Sequence, residues 1–233
     1  MSVALFSTDG ILFIMRWLHI FFGIVWIGHL YYFNFVQGAF FAETDAATKS
    51  NAIQKLVPRA LWWFRWGAMF TLITGLIILM GLFHQNPNFV DTARGVIILT
   101  GIAMAFLMWA NVWFVIWPAQ KVVIQNAVDT AAGKPANPEA ATRAARAGVA
   151  SHTNVLFSIP MVFFMSASTH LPIAVNPEAS LMGYWVVMLA LLGLLELNAL
   201  KGKTGPMTSV KGVIHMGFAL TVVQYIILEV LTK

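Results

Sequence analysis

Cysteine is absent from the 233 residues. That excludes disulfides, thiolate-ligated iron–sulfur clusters and covalent c-type haem attachment through CxxCH. Non-covalent haem held by histidine stays open. Charge is scarce: Asp, Glu, Lys and Arg make up 10% of the chain, against 59% hydrophobic residues and a mean hydropathy of +0.78. No soluble domain of this size needs so apolar a composition. The opening MSVALFSTDG has no basic n-region, so the first apolar stretch reads as a retained helix, not a cleaved signal peptide. Neither an internal repeat nor a linker interrupts the chain, which reads as a single transmembrane domain over 1–233. The pI near 9.7 reflects the basic loops of a membrane protein. It does not imply nucleic acid; the partner that composition implies is the lipid bilayer.

What is present is a series of apolar runs near the ~20 residues needed to cross a bilayer. They fall at roughly 11–37, 61–83, 95–117, 150–170, 180–200 and 210–231. The expected fold is an all-α integral membrane helical bundle of six transmembrane helices. Basic residues sort by side. The connections 38–60, 118–149 and 201–209, with their flanks, hold eleven, from Lys49 and Arg59 through Arg146 to Lys203 and Lys211; the other side holds only Arg16, Arg94 and Lys233. The positive-inside rule puts the first set in the cytoplasm and both termini on the periplasmic side of a bacterial inner membrane.

Two cytoplasmic connections read as helical. Asp45 to Val57 stops at Pro58. In the other, Asn137 and Pro138 act as N-cap and first helical position, and the helix runs straight into the fourth span; a Gly133-Lys134-Pro135 turn separates it from a cytoplasmic extension of the third span. Ser158 and Pro160 are expected to interrupt that span. Trp62, Trp63 and Trp66 on span two, and Trp109, Trp113 and Trp117 on span three, fit interfacial aromatic belts. Glu196, Gln224 and Glu229 are polar residues within spans, and an acid at depth can relay protons.

The histidines carry the chemistry. All six lie on or at the ends of spans, and intramembrane ionisable residues are rare and usually functional. His19 and His29 share the run RWLHIFFGIVWIGHLYYFNF. Ten residues separate them, roughly 15 Å along a helix and about 80° around it, which suits one ligand near each membrane face. His19, His84 and His170 fall toward the outer face; His29, His152 and His215 fall toward the inner. A macrocycle between helices needs axial imidazoles with small residues beside them, and Gly23 and Gly28 supply those. The pattern points to haem b, one or two per chain. The candidate sites pair His19 with His170 or His84, and His29 with His215 or His152. Interhelical hydrogen bonding is the alternative account of each imidazole. Arg16 either neutralises haem propionates or snorkels to the headgroups. No HxH or HxxxH pair is available for a compact copper or zinc site.

The segments RWLHIFFGIVWIGHLYYFNFVQGAFF (from Arg16) and SHTNVLFSIPMVFFMSASTH (Ser151 to His170) resemble the membrane domain of bacterial membrane-bound urate hydroxylases, the urate oxidase N-terminal domain family. A similar "LH then W-x-G" helix occurs in the haem-binding membrane family of protoporphyrinogen oxidase. The resemblance implies a multi-span haem-type oxidoreductase. In the family the membrane domain precedes a cytochrome c domain, through which electrons from urate leave. With no CxxCH, this chain is expected to lack that domain. It would pass electrons to or from a separate periplasmic cytochrome c or a larger membrane complex. By position the resemblance favours His19 and His170; His29 and His152 lie in the same motifs, and His215 rests on depth alone. The rival expectation is a cofactor-free accessory subunit of a membrane complex.

Overall fold

The computed structural model describes residues 3–176, 180–202 and 204–233. Lys203, counted above among the basic residues, lies outside them. Among the described residues there is helix and no strand. The long elements are α1 Thr8–Glu43, α3 Val57–Gln85, α4 Ala93–Ala131, α5 Ala140–His170, α6 Leu181–Lys201 and α7 Val210–Leu231, each long and apolar enough to cross a membrane. The short α2, Ala46–Lys55, lies between α1 and α3. The exposed side chains include Ile24 at 67%, Met182 at 75% and Val230 at 69%. Such bare apolar surface suits hydrocarbon and not water, so the chain is a multi-pass membrane protein.

The helix ends follow from capping. Ser7 accepts from the Gly10 N–H at 3.1 Å, and Asp45 accepts from the N–H groups of Ala47 and Thr48 at 2.9 and 3.0 Å. The Thr48 hydroxyl and those amides hold the Asp45 carboxyl below the usual carboxylate range, so this cap is lost only as pH falls through that lowered value. Pro58 does more than stop α2: it sits in the first turn of α3, where its missing N–H costs nothing. Asn137 caps α5 by accepting from the Glu139 N–H at 2.9 Å. Gly133, at φ +79°, makes the left-handed turn between α4 and α5 that a side chain would strain.

Two features depart from expectation. Pro160 leaves α5 continuous from Ala140 to His170, because a membrane helix tolerates proline when neighbours satisfy the freed carbonyl. And α1 and α4 each contain a π-helical stretch, Tyr32–Gln37 and Asn111–Ile116. In α1 the cause is visible. Buried Asn34 donates through Nδ2 to the Leu30 carbonyl at 2.7 Å and to Ser151 Oγ at 2.8 Å. A side-chain donor on the i−4 carbonyl competes with the backbone N–H and loosens the register.

The structure forms two compact units: the described residues up to Ile78 with Trp109–Ser151, and Leu79–Met108 with His152–Lys233. In the first, α1 and α3 run as an antiparallel pair. Phe33 meets Phe64 edge-on at 5.5 Å between ring centroids, and Phe22 lies 4.9 Å from Phe70. Between them, a Cβ on Gly67 would stand 3.1 Å from the Trp26 backbone nitrogen. The two tryptophan groups are more than belts: Trp66 packs edge-on against Trp113 at 5.7 Å, and the Arg65 guanidinium lies 3.8 Å above the Trp117 ring, a cation–π contact.

In the second unit, fully buried Tyr184 and Thr100 share a hydrogen bond at 2.5 Å. One turn along, the Gln224 Nε2 donates to the sulfurs of Met104 at 3.6 Å and Met188 at 3.3 Å. Its Oε1 is buried without a partner among the described residues. Thioethers are weak acceptors, so this amide recovers little of its desolvation cost. Gln224→Leu is therefore expected to leave the melting temperature unchanged or raise it. A loss above about 2 kcal/mol, the scale of a satisfied buried polar group, would contradict that account.

Candidate functional site

The sequence-derived histidines separate into two kinds. His19, His29 and His152 are half-buried, and each has Nδ1 on a backbone carbonyl. The His19 Nδ1–H donates to the Thr71 carbonyl at 2.9 Å, with Thr74 Oγ1 at 3.2 Å. His29 donates to its own helix at the Val25 carbonyl, 2.7 Å away, and His152 to the Met207 carbonyl, also at 2.7 Å. A carbonyl only accepts, so Nδ1 carries the hydrogen in all three. In the neutral ring Nε2 then bears the lone pair. An axial ligand needs this state: one nitrogen fixed by an outer hydrogen bond, the other free to donate electrons to a metal. His84, His170 and His215 are exposed. The first two end α3 and α5, and the third lies in the first turns of α7.

His19 has the most developed surroundings. It projects from α1 onto a stripe of α3 formed by Gly67, Thr71, Thr74 and Gly75, a small-xxx-small pattern that lets membrane helices approach. A Cβ on Gly75 would stand 3.0 Å from His19 Cε1 and 3.3 Å from Nδ1, so glycine here makes room for the imidazole. Thr74 Oγ1 donates its hydrogen to the Phe70 carbonyl at 2.7 Å, which leaves its lone pairs to accept from His19. On the far side Gly23, one turn along α1, has open space where a side chain would be. Arg16, three residues before His19, is half-buried. These partners escape sequence reasoning because carbonyls belong to every residue; the Gly67-x3-Thr71-x3-Gly75 spacing is the signal that could have found the face.

His152 belongs to the second unit. Its acceptor lies in the 3-10 turn Gly205–Thr208, which starts with Gly205 at φ +52° and is anchored by the Met207 side chain, only 2% exposed. His29 borders an open groove of about 650 Å³ with Tyr32, Leu56, Arg59 and Trp63. Among the described residues no three of His, Cys, Asp and Glu converge on a common point. The chemistry on offer is single imidazoles presented one at a time, as haem uses them.

No curated protein and no solved structure matches this chain. The family model described as Urate oxidase N-terminal matches residues 89–226, a range that holds His152, His170 and His215 and begins after His19 and His29. The chain belongs to the urate oxidase N-terminal family.

Proposed function

We propose that this chain is a haem b redox protein of a bacterial inner membrane, with both termini on the periplasmic side. In this reading it passes electrons to or from a periplasmic cytochrome c or a larger membrane complex. Oxidation of urate or a related purine is the activity that the family membership favours. One observation carries the haem reading: His19 has its Nδ1–H committed to the Thr71 carbonyl, while Nε2 keeps its lone pair. That is the donor state of an axial ligand. The space beside Gly23 and the half-buried Arg16 cation supply room and a propionate partner. His152, with Nδ1 on Met207, offers the same chemistry in the second unit, which allows a second haem. His170 and His215 are exposed and lack that orientation. When bound, haem b supplies a one-electron iron couple whose potential the axial ligand and its outer hydrogen bond tune. The residues of this chain hold the imidazole tautomer, exclude water with Trp26 and Phe22, and balance charge through Arg16.

A pyridine haemochrome assay on purified protein, with protein quantitation, is expected to give one or two haems b per chain. A protein expressed with adequate haem that shows neither a Soret band nor a reduced α-band overturns the reading in favour of an accessory subunit. Reduction of that haem by urate in native membranes tests the substrate separately.

A further inference from the structure

The groove beside His29 is built differently from the His19 site. Its volume, about 650 Å³, lies within the ~300–1,000 Å³ of small-molecule sites. It opens among side chains that face outward: Ile24 is 67% exposed, Trp63 52% and Leu56 47%. A ligand would therefore arrive from the bilayer. Its walls are apolar and aromatic, with Trp63 held edge-on by Trp62 at 4.9 Å between centroids. Two groups of opposite hydrogen-bonding sense interrupt that surface. His29, with Nδ1–H on the Val25 carbonyl, offers an accepting Nε2. Arg59 offers only donors, and the ion pairs among the described residues do not include it. Gly28 leaves open space beside the imidazole.

An occupant must be apolar, flat enough to lie against Trp63, and polar at two points, one accepting from Arg59 and one donating to or sharing a proton with His29. A phospholipid phosphate satisfies Arg59 and gives His29 no donor. A porphyrin on His29 would leave its other face bare at the open side. The quinol of a benzoquinone or naphthoquinone meets every demand: one hydroxyl oxygen accepts from Arg59, and the other hydroxyl donates to His29 Nε2. We propose that this groove binds the ring of a membrane quinol, one hydroxyl oxygen accepting from Arg59 and the other hydroxyl donating to His29 Nε2. The assignment concerns binding and stands whether or not His19 holds haem.

The test uses the full chain in nanodiscs of zwitterionic lipid, titrated anaerobically with decyl-ubiquinol and read by tryptophan fluorescence quenching. An azido-quinol cross-link mapped by mass spectrometry is the second readout. Saturable one-to-one binding is expected, with the cross-link on the peptides carrying residues 24–32 or 56–63. His29→Leu and Arg59→Gln should each raise Kd about tenfold, the equivalent of one hydrogen bond. Gly28→Leu should block binding while leaving the helix pair intact, because its side chain enters open space; it keeps the test decisive if His29→Leu folds poorly. Arg143→Gln, which only breaks the surface ion pair with Glu139, should leave Kd unchanged. The proposal fails if all three groove variants bind as the wild type does. It fails if phosphatidylglycerol displaces the probe while His29→Leu has no effect, which assigns the groove to a lipid headgroup. It fails equally if His29→Leu lowers the haem content, which assigns His29 to a porphyrin.

Discussion

Alanine at position 19 is expected to remove one haem b per chain, with helix content unchanged. The imidazole is what α1 presents to Thr71, Thr74 and Gly75 with a lone pair to give, and alanine has nothing to replace it. Loss of a metal ligand removes the bound state outright, whereas loss of a membrane hydrogen bond costs only about 0.6 kcal/mol on average. The two readings of His19 therefore differ by an all-or-none spectral change. Free imidazole should restore the Soret band of His19→Ala, because Gly75 and Gly23 leave the ring's space intact. Thr74→Val is the companion: it deletes the longer of the two Nδ1 acceptors, at 3.2 Å, and spares the Thr71 carbonyl at 2.9 Å. It should shift the reduction potential while keeping the haem. Full haem content in His19→Ala, with a small drop in melting temperature, would make this histidine a packing residue.

The six spans were legible because hydropathy over some twenty residues is a local property of the chain. Their ends were less so. The first span, expected at 11–37, runs on as helix to Glu43; the third runs to Ala131, the cytoplasmic extension expected before the Gly133-Lys134-Pro135 turn. The π stretches left no trace in composition: averaging hydropathy does not register which carbonyl a backbone N–H takes, and the Asn34 side chain decides that. Depth singled out the histidines as a group but did not rank them. The ranking comes from the carbonyls of Val25, Thr71 and Met207, and no residue type advertises a carbonyl. The groove at His29 was equally hidden, because Arg59 and Trp63 come from the start of α3, far along the chain.

Pro160 and Gly217 together show why α5 stays continuous, and they set the largest expected effect on stability. Proline at 160 has no N–H for the Leu156 carbonyl, four residues earlier. In the second unit Gly217 of α7 lies against that carbonyl: a Cβ there would stand 3.1 Å from Leu156 O, 2.5 Å from Ile159 Cδ1 and 3.2 Å from Ile159 Cβ. The glycine backbone thus comes close enough for a Cα–H to face the freed oxygen, a weak but recurrent contact between helices. Without a hydrophobic drive between helices in lipid, such close van der Waals packing is what holds them together. Gly217→Ala should lose about 1–3 kcal/mol, the cost of overpacking by one carbon, since the Ile159 tip can turn aside but the Leu156 oxygen cannot. Gly217→Leu should yield no monodisperse protein after detergent extraction. Gly193→Ala in α6 is the control: a Cβ there meets nothing within 4 Å, and alanine's better helix propensity, worth up to about 1 kcal/mol, should leave stability equal or higher. Thermal melts of Gly217→Ala and Gly193→Ala side by side read opposite signs for the same chemical change. If Gly217→Ala melts with Gly193→Ala, the close approach of α7 to Leu156 is wrong, and with it the reason a proline sits unbroken in the middle of a membrane helix.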